Sequence, residues 1–65
     1  MSGKNLQIER IRAGIKQGDL AEALKMNRTL LSKIENNRIE INEDFEKRYL
    51  ARLKELKEKR YENQV

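Results

Sequence analysis

Apolar residues recur along this chain at intervals of three and four, the spacing of helices that each bury one face. Ile8, Ile11 and Ile15 form a first stripe and predict a helix over about 6–13. Gly14 follows it and can take the left-handed conformation that stops a helix. Leu20, Ala21 and Leu24 predict a second helix over 17–24, with Asp19 and Glu22 near its positive end and Gly18 weakening its first turn. Lys25-Met26-Asn27 has room only for a tight turn, and the Asn27 side chain can accept the free amide of Thr29 or Leu30. A third helix then covers 28–36, with Leu31 and Ile34 inward and Asn37 as its terminator. After a loop at 38–41, Asn42 caps a long last helix over about 42–60. Phe45, Tyr49, Leu53 and Leu56 are its apolar stripe, Glu55 and Lys59 an i,i+4 pair, and a tail from Tyr61 is expected to fray.

The pattern between 17 and 36 has a steric consequence. Two short helices joined by a three-residue turn cross steeply only if a small residue sits at the crossing, and Ala21 is that residue. Leu20, Leu24, Met26, Leu31 and Ile34 then fill the angle between them, which is the helix-turn-helix arrangement. The outer face of the third helix projects, and a projecting helix fits the major groove, about 12 Å wide.

Composition narrows the picture. A chain of 65 residues allows one domain, taken as 1–65, with a thin core. It contains no cysteine and no histidine, so disulfides are impossible and neither a metal nor another cofactor is expected. Without those residues or a glycine-rich phosphate loop, no enzyme is expected. No apolar run is long enough for a membrane span and no signal-peptide pattern opens the chain, so a cytoplasmic location is expected. The formal charge is +4, and residues 1–41 hold eight basic and five acidic side chains against seven and six beyond, so the excess lies with the motif.

On the projecting face stand Arg28, Thr29, Ser32 and Lys33, the candidate base contacts. Arg and Lys donate to guanine O6 and N7, and Thr can meet a thymine methyl. Gln17 opens the second helix, where donors can meet a phosphate; Asn27, Asn36 and Arg38 are further candidates for the DNA backbone.

The stretch from Ile8 to Arg38 resembles the lambda-repressor-like, Cro-type family of phage and bacterial regulators, also called Xre-like. The resemblance rests on Arg12-Ala13-Gly14, Gln17, the Leu-Ala-Glu-Ala-Leu of 20–24, Asn27-Arg28 and the Leu-Ser-Lys-Ile-Glu-Asn of 31–36. It implies an all-α DNA-binding domain that acts as a homodimer on a palindromic operator. It implies phosphate contacts from Gln17 and Asn36, base contacts from Arg28, Thr29 and Lys33, and an ion pair of Arg10 with Glu35 between the first and third helices. Three positions depart from the family. Lys25 stands where a turn glycine is usual, Lys16 replaces the usual Thr or Ser cap, and one long helix follows residue 40 where the family has two short ones.

The expected function is therefore a sequence-specific transcriptional regulator, a repressor of the kind phages and mobile elements encode. Two alternatives remain open: an antitoxin that controls its own promoter, and a protein-interaction module built on the same fold. Leu53 and Leu56 are the candidate dimer contact, because the core of so small a domain should run out along that stripe.

Overall fold

The computed structural model describes residues 1–62, with side chains through Lys59. Four helices and no strand occur among them: α1 (Gly3–Arg12), α2 (Gln17–Ala23), α3 (Arg28–Glu35) and α4 (Glu43–Glu62). α3 packs on α1 and α2, and α4 packs on the same two helices from behind. None of these helices is long and apolar enough to cross a membrane.

The first three helices end in the same way. In each, the residue three places past the last helical residue sends its N–H back to a carbonyl five residues earlier: Ile15 to Arg10, Met26 to Ala21 and Arg38 to Lys33, at 3.2, 3.0 and 2.9 Å. The residue before it makes a companion bond that spans three residues, Gly14 to Ile11, Lys25 to Glu22 and Asn37 to Ile34. This paired closure requires a left-handed residue at its centre. Gly14, Lys25 and Asn37 supply it, with φ of 71°, 57° and 61°. Glycine does so without strain and asparagine with little, whereas a lysine side chain does so against a steric penalty.

The starts differ more. Asn27 accepts from Leu30 N at 2.6 Å and Asn42 from Phe45 N at 2.8 Å, as side-chain caps should. Lys16 makes no side-chain cap, so α2 begins without one.

α1 corrects the sequence reading twice. It begins at Gly3, not near Leu6, because Ser2 caps it by accepting from Asn5 N at 3.1 Å. Its buried face is Gly3, Leu6 and Arg10, while Ile8 and Ile11 are 41% and 61% exposed. A Cβ at position 3 would overlap the Ile34 carbonyl oxygen, so glycine is what lets α1 dock on the end of α3. Of the expected stripe only Ile15 lies inside, carried there by the turn that closes α1.

The core is Leu6, Ile15, Leu20, Ala21, Leu24, Leu31, Tyr49 and Leu53, with Ile34 also buried. On α4 the expected stripe faces inward. Tyr49 is fully buried, and Phe45 lies beside it with ring centroids 6.1 Å apart. Glu55 bonds with both oxygens to Arg52 Nη1, at 3.0 and 2.9 Å, in place of the expected pair with Lys59. α4 continues through Glu62, past the point where fraying was expected; residues 63–65 of that expected tail lie outside the described residues.

Candidate nucleic-acid interface

Ala21, only 2% exposed, stands on the inner face of α2, where a methyl lets α3 approach closely. Leu31 and Ile34 anchor α3 inward, and the opposite side of the helix is left to polar residues. Arg28, Thr29, Ser32 and Lys33 there join Gln17 from α2 and Arg38 from the following loop to line one open concavity of about 580 Å³. Three of these six side chains are cationic and none is acidic. The Arg28 stem crosses the start of α2 above Gly18.

The lone acid of α3 is withheld from this surface. Glu35 is fully buried and pairs with Arg10, Nε to Oε2 at 2.9 Å and Nη2 to Oε1 at 3.0 Å. Arg10 also donates to the Ile15 carbonyl at 2.9 Å, which fastens the turn after α1. The Tyr49 hydroxyl donates to Glu35 Oε2 at 2.7 Å, with the Leu6 carbonyl a second acceptor at 3.0 Å. Gln17 Nε2 donates to Glu35 Oε1 at 3.1 Å. Each carboxylate oxygen thus receives two donors, which fills its lone pairs. All four helices meet at this one group.

Burial and the hydrogen bond to Glu35 push the Tyr49 hydroxyl far above its ordinary range, so it stays a donor. Burial pulls the Arg10 guanidinium downward, but its hydrogen bonds and charge pairing with Glu35 outweigh this and hold it raised. No buried side-chain nitrogen or oxygen among the described residues lacks a partner.

A family model described as helix-turn-helix, of the Cro/C1, lambda-repressor-like type, matches residues 6–55. The chain belongs to this family. It is a helix-turn-helix DNA-binding regulator. No curated protein and no solved structure gives a significant match.

Within this helix-turn-helix protein the expected site residues fall into three groups. Gln17, Arg28, Thr29, Ser32, Lys33 and Arg38 come together on the concavity. Asn27 and Asn36 stand outside its lining. The Asn27 oxygen is engaged as the α3 cap, and Asn36 Nδ2 donates to the Ser32 carbonyl at 2.8 Å and toward its hydroxyl at 3.4 Å. Leu53 and Leu56 form the third group, along α4. Leu53 is 6% exposed inside the core and Leu56 is partly buried against it, so the core extends that far along α4.

Two functional features escaped the sequence reading. Tyr49 was placed in the apolar stripe by its spacing, but nothing in that spacing marks a hydroxyl aimed at Glu35. Gly3 lay outside the helix expected for that region. Ser2 is itself a favoured N-cap residue, a signal that could have placed the start of α1 correctly.

Proposed function

We propose that this regulator is sequence-specific and lays α3 in the major groove of duplex DNA, where Arg28, Thr29, Ser32 and Lys33 read base edges. Arg38 and the Gln17 side chain meet phosphates on either side. Asn27, whose oxygen caps α3, keeps its Nδ2 donors for the backbone, and Asn36 steadies Ser32. The observation that carries this reading is the shared groove of six polar side chains, three of them cationic, beside a helix whose own acid is buried. A helix face that offers cationic donors and no acid suits guanine edges and phosphate oxygens alike.

In this reading the protein acts as a repressor of the phage or mobile-element type, by occupying its operator and excluding polymerase. It binds as a homodimer on a palindrome, with the two α3 helices about 34 Å apart, one turn of DNA. The test is selection of bound sequences from a random duplex pool, followed by affinity measurements across salt. A palindromic consensus with half-sites one turn apart is expected, and affinity should fall steeply with salt as counterions are released. An unstructured pool with salt-insensitive binding would refute it.

A further inference from the structure

We propose that Tyr49, buried in the core behind the groove, is a positioning residue for DNA binding: through Glu35 it holds the Gln17 amide in place at the groove rim. This rests on the DNA-binding reading above.

The chain of contacts is short. Tyr49 donates to Glu35 Oε2 at 2.7 Å, and Glu35 Oε1 accepts from Gln17 Nε2 at 3.1 Å. A carboxylate only accepts, so Gln17 must turn its nitrogen, and not its oxygen, toward Glu35. One amide hydrogen is then held by Glu35, and the second points away from it and remains available to a phosphate oxygen. A glutamine already fixed in this way loses less side-chain freedom on binding than a free one does.

Glu35 holds Gln17 only as well as it is held itself. Arg10 reaches both carboxylate oxygens, and the second donor to Oε2 is Tyr49. Replacing the hydroxyl by hydrogen leaves that oxygen one donor short in a site with no solvent exposure. The carboxylate must then turn to recover a donor. The contact that gives way is the longest of the four and the one made by a partly exposed side chain, that of Gln17. Helix α4 thereby sets the grip on the DNA backbone without touching DNA.

The experiment is a double-mutant cycle in DNA affinity with Tyr49→Phe and Gln17→Ala, below the melting temperatures of all four proteins. Tyr49→Phe should weaken binding about two- to tenfold on preferred and random duplexes alike. It should cause no further loss when Gln17→Ala is already present. Nitrogen relaxation of the Gln17 side-chain amide in the unmodified protein gives a second reading, one that does not need the Phe variant to fold. An amide as ordered as the neighbouring backbone supports the proposal. A freely reorienting amide, additive losses in the cycle, or Tyr49→Phe affinity equal to that of the parent would each overturn it. Absence of any duplex binding by the parent protein would instead overturn the DNA-binding reading, and the positioning role with it.

Discussion

The two sides of α3 use the same kind of residue for opposite ends. On the inner side the charges of Glu35 and Arg10 are buried, and no buried side-chain nitrogen or oxygen among the described residues lacks a partner. On the outer side Arg28 and Lys33 are exposed, and neither forms an ion pair among the described residues. Inner charges hold the helix to the fold, while outer charges are held ready for a partner that brings its own negative charge. The inner arrangement also shapes the outer one, because burying Glu35 removes the acid that would otherwise repel phosphate from the same helix.

The comparison predicts that stability and binding separate by side. The largest effect belongs to Glu35→Ala, which strands the Arg10 charge in the interior. Breaking a buried pair from one side costs about 3–5 kcal/mol, enough to unfold much of a domain this small. Thermal melting by circular dichroism checks it; a midpoint near that of the parent would mean the pair is no more than a surface contact.

Next in size is Ala21→Leu. A larger side chain at the helix crossing forces overpacking worth about 1–3 kcal/mol, and both the melting midpoint and DNA affinity should fall. An unchanged midpoint would place the crossing elsewhere.

The inner network also has a pH signature. Tyr49 titrates well above its ordinary value in the folded chain, so on raising pH the unfolded chain releases that proton first. Its contribution is fully present below about pH 10, the unfolded value, and is lost as pH rises above it. Over that range the stability of the parent should fall more steeply than that of Tyr49→Phe, by up to about 1.4 kcal/mol per pH unit. Parallel curves in urea titrations of the two proteins would show that the hydroxyl is not shielded.

The smallest effect runs the other way. Lys25 holds φ of 57° in a position that favours glycine. Lys25→Gly should stabilise by up to about 1 kcal/mol, the left-handed penalty less the extra freedom of an unfolded glycine. A drop in melting midpoint would mean the lysine side chain contributes more than its backbone strain removes.

The sequence was most readable where one residue type answers one local need. The caps at Asn27 and Asn42, the terminators at Gly14 and Asn37 and the small residue at Ala21 all stand where the spacing put them. It misled on α1, because two faces compete there. Ile8 and Ile11 outscore a face made of glycine, leucine and arginine, and only the buried acid on α3 makes Arg10 an interior residue. Along α4 the stripe marks the inward face. Leu53 and Leu56 extend the core along it, and Tyr49 brings a hydroxyl to a carboxylate fourteen residues earlier in the chain. On α4 periodicity reports which face is inside and is silent about the polar partners that arrive from other helices. At the groove, the grouping of Arg28, Thr29, Ser32, Lys33 and Gln17 followed from helical spacing, while the capping bonds of Asn27 and the bonds of Asn36 to Ser32 depend on rotamers that spacing does not fix.

The central claim is that the outer side of α3 reads sequence. Its most direct measurement is the affinity of the parent, Arg28→Ala and Lys33→Ala for the selected duplex, for singly substituted duplexes and for random duplexes, at several salt concentrations. Each alanine variant should lose about 1–3 kcal/mol on the selected duplex, with relaxed preference at particular base pairs and a melting midpoint equal to the parent's. If both variants instead lose affinity equally on every duplex, α3 grips DNA without reading it, and the claim is contradicted.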